Sequence, residues 1–278
     1  MNKNLKNEEN IKIFKNNGYI YKLILFILLI ISFIIGYFSG KLKLKNKKEI
    51  FLLDELLNFK SYSQCYEDLI LFCIFYNVKK GFYIDVGAND PNQISVTKAF
   101  YLRGWNGINF EPLPDKYKLL LKERKKDLNL QIGVGNEIGN FSFFLKGTGS
   151  TLSKIYVKRK TKILNIKVNT LSNICKQYLP KEKKIQFCKI DVEGGEKNVL
   201  LGYDFKNYRP EVFCIESTKP GTRIPCHDLW EDILLKNNYS FVYQYKINRY
   251  YIDNRIEGLK ERFYHVNKYI KLYKLLNN

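Results

Sequence analysis

The chain has no CxxC pair, no GxGxxG loop and only two histidines. Each absence removes a class of function. The six cysteines, Cys65, Cys73, Cys175, Cys188, Cys214 and Cys226, have no histidine at ligand spacing, so no zinc motif is present. No disulfide framework can be read either, and Cys188 and Cys214 fall in apolar runs where a thiol packs as a small hydrophobe. Cys65 and Cys73 stand eight residues apart on an expected helix, too far along it to bridge. Without a three-glycine loop, a dinucleotide pyrophosphate lacks its amide-lined seat. Arginine is scarce as well, with eight against 39 lysines. The formal net charge of +20 invites a nucleic-acid reading, yet a base or phosphate reader usually clusters arginine. A lysine-rich solvated surface is the favoured reading, and an RNA-directed enzyme stays as an alternative.

What is present divides the chain. Residues 1–18 are a basic N-terminal segment. The run Tyr19–Phe38 (YIYKLILFILLIISFIIGYF) carries one charge, Lys22, close to an end from which it can snorkel. As a helix these 20 residues are about 30 Å long and span a bilayer core, so a single-pass membrane anchor is expected. A cleaved signal peptide fits less well, since the preceding segment is long and no A-x-A site follows. Lysines flank the span on both sides, and the positive-inside rule leans toward a cytosolic catalytic domain. Residues 39–60 form a charged stalk, 61–256 the soluble domain, and 257–278 a lysine-rich tail that suits either solvent or a membrane surface.

Within 61–256, apolar runs of strand length alternate with helical patterns. Strands are expected at Phe82–Val86, Gly107–Phe110, Leu128–Val134, Ile163–Val168, Ile185–Ile190 and Glu211–Ile215, then at Ser240–Tyr245 and Arg249–Asp253. Helices are expected at Glu67–Tyr76, Thr97–Leu102, Pro114–Lys126, Leu171–Tyr178, Glu196–Leu201 and Asp228–Lys236. The alternation predicts an α/β fold with a mostly parallel sheet and helices on both faces. Ligands of such sheets bind beyond the carboxyl ends of the strands. Four of those ends carry acids: Asp85 to Asp90, Glu111, Asp191 to Glu196, and Glu216.

The turn after the first strand, FYIDVGANDP, has one glycine between two acids. That suits a cationic nucleoside without phosphate, such as S-adenosylmethionine, better than a dinucleotide. Glu111, at the end of the next strand, can accept hydrogen bonds from both ribose hydroxyls. Six segments then occur in order: SQCYEDLIL (63–71), GFYIDVGAND (81–90), SVT (95–97), GWNGINFEP (104–112), KIDVEGGEKNVL (189–200) and RPEVFCIES (209–217). Together they resemble the FkbM-type family of S-adenosylmethionine-dependent methyltransferases, over about residues 61–245. Pro91 departs from that pattern, where many relatives carry glycine.

The resemblance implies the seven-stranded Rossmann-like methyltransferase fold and O-methylation of a hydroxyl, on a sugar, a glycan or a related metabolite. It implies that Asp85, Gly87 and Asn89 hold the methionine part of S-adenosylmethionine and Glu111 the ribose. Gln64 and Asp68 would lie near the carboxylate end, with Gly133 and Val134 beside the adenine. An alcohol must lose its proton to attack, and Asp191 is the expected base, with Glu193 and Glu216 as alternates. Two of these three acids could instead hold a divalent cation, although no metal motif is read. His227 suits either a base or a helix start. The stripe Tyr239, Phe241, Tyr243, Tyr245 reads as core. The hydroxyl-rich insert 147–153 suits a substrate cover or a plain hairpin loop. A non-catalytic tethered scaffold or trafficking protein is the remaining alternative.

Overall fold

The structure is a computed structural model, and it describes residues 52, 54–145 and 162–277. The expected anchor at 19–38 and the insert at 147–153 lie outside those residues. Among the described residues no helix is long and apolar enough to cross a membrane. Residues 59–270 form one compact unit.

Among the described residues this unit has ten strands. They are β1 (Phe82–Val86), β2 (Asn106–Phe110), β3 (Leu128–Leu130), β4 (Gly133–Val134), β5 (Gly139–Leu145), β6 (Lys162–Asn169), β7 (Ile185–Ile190), β8 (Pro210–Glu216), β9 (Tyr239–Tyr245) and β10 (Asn248–Asp253). Seven of them make one sheet in the order β3-β2-β1-β7-β8-β10-β9. The first five run parallel, and β10 and β9 close the sheet antiparallel. The order reverses direction of growth at β1, between β2 and β7, which is where a doubly wound sheet opens a crevice.

Two faces of this sheet are covered by different helices because the strands are apolar on both. Ile84, Ile108, Cys188 and Phe213 are in register across four strands. They pack with Leu171 and Ile174 of α4 (Leu171–Tyr178), Val199 of α5 (Glu196–Leu201) and Leu234 of α6 (Glu231–Lys236). On the opposite face Tyr83 and Phe187 meet an aromatic group from α1 (Glu67–Phe75) and α2 (Lys98–Leu102). There Phe100 lies 4.8 Å from the Trp105 ring and 4.9 Å from Phe187. Burying a ring of this size stabilises by roughly 1.5–3 kcal/mol each.

Several sequence expectations need correction. Leu128–Val134 is two strands in two sheets, since Gln131 and Ile132 break it. β4, β5 and β6 form a separate three-stranded sheet in the order β4-β6-β5, so the strand at 163–168 does not join the main one. Phe143, Ile166 and Val168 give that small sheet its own core. Helix α3 (Pro114–Glu123) ends three residues earlier than expected, at Arg124, whose guanidinium is buried against Pro91 O and Ser95 Oγ. Cys65 precedes α1 rather than lying on it, and all six cysteines are free. The aromatic stripe of β9 is core only at Tyr239. Phe241 is exposed and stacks under Arg249, because β9 is the edge strand. In the stretch read as a tail, Phe263, Val266 and Ile270 are buried, the last two on α7 (Val266–Asn277).

Candidate functional site

A cavity of about 890 Å³ lies beyond the carboxyl ends of β1, β2, β7 and β8, with β4 and β5 along one wall. That volume suits a nucleoside-sized cofactor together with a small acceptor. Its floor is the turn after β1. Gly87 has φ +80, and a Cβ placed there would stand 2.0 Å from the carbonyl oxygen of Asp191. Only glycine satisfies both the left-handed backbone and that approach. Asn89 follows with φ 50, a conformation asparagine tolerates better than most residues. Its N–H donates to Glu111 Oε2 at 2.8 Å, and the Leu113 N–H donates to Oε1 at 2.8 Å. Burial raises the Glu111 carboxyl above its ordinary value, while those two N–H donors pull the other way.

Gly87, Asn89, Glu111, Gly133 and Val134 all line the cavity, as does the exposed side chain of Gln64. Two expected cofactor residues do not. Asp68 is fully buried and holds the loop before α1. It accepts from Ser61 Oγ and Ser63 Oγ at 2.6 Å each and from the Tyr62 N–H at 2.6 Å. Asp85 is 1 % exposed and turned beneath α2, where Thr97 Oγ1 donates to its Oδ2 at 2.9 Å. Side chains alternate along a strand, so Asp85 shares the face of Tyr83, and its neighbour in the β7 ladder is Lys189.

Lys189 is the residue the sequence reading missed. Its Nζ lies 3.4 Å from Asp85 Oδ1 and 3.6 Å from Asp191 Oδ2, and it donates to Gly87 O at 2.7 Å. Burial alone would lower its pKa, but Asp85 first and then Asp191 hold it above its ordinary value. One lysine thus ties the ends of β1 and β7 to the turn between them. The signal was legible: a lone lysine in the run IQFCKI, all of it buried.

The acids expected to do chemistry converge on the other side of β1. Asp191 follows β7, Glu193 lies two residues on, and Glu216 ends β8. One carboxylate oxygen from each falls within 4.8 Å of the others. Burial, then the charges of Asp191 and Glu193, push Glu216 up to about 10. Asp191, by contrast, has a side chain 38 % exposed beside Lys189. Glu196 braces this loop. Its Oε1 accepts from the Val192 and Gly194 N–H groups at 3.2 and 3.1 Å, and burial raises its pKa to about 7.

A family profile described as the methyltransferase FkbM domain matches residues 85–241. The chain belongs to the FkbM methyltransferase family. The matched span opens on Asp85 and takes in Glu111, Lys189, Asp191, Glu193 and Glu216, while Gln64 and Asp68 precede it. Among curated proteins none matches the chain. His227, expected as a base or a helix start, opens a short 3-10 turn with Nε2 4.0 Å from Glu231 Oε2, and it does not line the cavity. Cys226, Leu229 and Trp230 from the same segment do. In this FkbM-family site the seven-stranded sheet separates the buried acid Glu111, after β2, from three acids after β7 and at the end of β8. Two to three strand spacings, roughly 10–14 Å, lie between them.

Proposed function

We propose that the chain is an S-adenosylmethionine-dependent O-methyltransferase acting on a hydroxyl of a sugar, a glycan or a related small molecule. The observation that carries this reading is the cavity that joins Glu111 and Gly87 on one side to Asp191 on the other. The residues fit the cofactor: a single obligate glycine allows close approach, one buried carboxylate suits two ribose hydroxyls, and the surrounding acids suit a cation.

Bound S-adenosylmethionine supplies an electrophilic methyl group on a sulfonium. The chain's own residues do the rest. Glu111 orients the ribose end, and the Asn89 and Leu113 N–H groups keep its carboxylate fixed. Gln64 stands where it can reach the amino-acid end. Asp191, on the far wall of the cavity, would take the proton that the acceptor hydroxyl gives up as the cofactor's methyl group is transferred to it. Charge is neutralised in such a step, so a walled cavity favours it by excluding water.

Calorimetric titration of the full chain with S-adenosylmethionine tests the reading. Binding in the micromolar range is expected, and the absence of heat at millimolar cofactor would overturn it. The proposal includes residues 19–38 as a single-pass anchor, supported by the apolar run alone. Retention in the membrane pellet after alkaline carbonate extraction is expected, and release into the supernatant would remove the anchor.

A further inference from the structure

The three acids beyond β1 have a property that the methyltransferase reading leaves unused. They come from two adjacent parallel strands, whose spacing of roughly 4.8 Å is set by the backbone ladder. Their proximity is therefore built into the sheet and does not depend on long side chains meeting by chance. The loop that carries two of them is bent into place by Glu193 at φ 56 and Gly194 at φ 97, and it is held by Glu196.

A second observation points to a ligand. Glu216 is only 6 % exposed, it lines the cavity, and its Oε2 has no hydrogen-bond partner. A buried carboxylate oxygen left without a donor is costly, and that cost is recovered when a cation or donor occupies the space beside it. Lys189, which also lines the cavity, does not supply it. Lys189 is already spent on Asp85, Gly87 O and Asp191.

We propose that Asp191, Glu193 and Glu216 bind one divalent cation of the Mg²⁺ or Mn²⁺ type, and that this cation seats an acceptor bearing two neighbouring oxygens. An all-oxygen donor set selects hard cations. Three carboxylate oxygens leave about half of an octahedron open, and a vicinal diol or a hydroxyl beside a carbonyl fills two of those positions as a chelate. A coordinated hydroxyl is more acidic than a free one. Its proton then leaves through the outer oxygen of Asp191, the more exposed edge of the cluster. The acceptor class rests on the O-methyltransferase reading, whereas cation binding does not.

The test is a titration of the EDTA-treated full chain with Mn²⁺, following the free-ion signal by electron paramagnetic resonance. One Mn²⁺ per chain is expected at micromolar concentration, displaced by Mg²⁺. Glu216→Gln should weaken binding roughly tenfold or more, and Glu111→Gln, across β1, should leave it within about twofold. Thermal unfolding checks that each variant is folded, and Glu193→Gln, on a half-buried loop, replaces Glu216→Gln if that variant is not. No Mn²⁺ binding at millimolar ion, or equal weakening by Glu111→Gln and Glu216→Gln, would overturn the site. Calorimetry with S-adenosylmethionine in EDTA separates the two readings. Cofactor binding without Mn²⁺ binding removes the metal site alone, and Mn²⁺ binding without cofactor binding removes the methyltransferase reading alone.

Discussion

Asp85 and Lys189 stand opposite each other in the parallel ladder between β1 and β7, with Lys189 Nζ 3.4 Å from Asp85 Oδ1. Both are buried, and the lysine also holds the carbonyl of Gly87. The pair fixes the backbone of the turn that lines the cavity.

Lys189→Met keeps most of the side-chain volume and removes the charge. Asp85 would then be buried with Thr97 as its one remaining partner. Loss of one member of a buried pair costs about 3–5 kcal/mol. A urea midpoint lowered to match is expected, and an unchanged midpoint would show that the pair adds nothing to stability.

Gly87→Ala should abolish cofactor binding even if the protein folds. The added methyl meets the Asp191 carbonyl at 2.0 Å, and the residue would have to hold φ +80. Relief requires the β1 turn and the β7 end to separate, and Asp191 sits on that end. Calorimetry with S-adenosylmethionine reads the loss, and binding at wild-type affinity would contradict the geometry.

Glu111→Gln removes a charge-assisted acceptor and also disturbs the Asn89 and Leu113 N–H groups it receives. A hydrogen bond to a charged group is worth about 1.5–3 kcal/mol, so cofactor affinity should fall by roughly 10- to 100-fold. The change should appear in the dissociation constant of the cofactor, with the acceptor's KM little altered.

Acid stability should report Asp253. Burial opposes its ionisation, but Arg209, with Nε 2.8 Å from Oδ2, and then Arg255 overcome that and bring its pKa down to about 2. A folded-state pKa below the ordinary carboxylate value of 3.8 means the unfolded chain binds the proton first. The contribution is complete above that ordinary value and disappears as pH falls through about 2. Urea midpoints measured from pH 5 down to pH 2.5 should therefore drop, and Asp253→Asn should flatten that part of the curve.

Much of this was legible because strand ends are marked by composition. FYIDVG, INFEP, KIDVEGG and CIES each pass from an apolar run to an acid, and the parallel sheet places all four acids along one edge. Glu111, Asp191, Glu193 and Glu216 were found that way, and all four line the cavity. Asp68 and Asp85 were also named, yet each is turned away from the cavity. An acid's position in a motif does not say which face its side chain takes.

The sequence by itself determined the alternation of strands and helices, the acids at the strand ends and the presence of a single glycine in the first turn. Those follow from local chemistry: apolar periodicity, turn residues and chain order. Only the tertiary structure decided that Leu128–Val134 divides between two sheets, that Lys189 faces Asp85, and that Asp191, Glu193 and Glu216 meet. Each depends on register between strands far apart in the chain. Asp85 and Lys189 are separated by more than a hundred residues, and the ladder that aligns them is set by burial of the whole sheet.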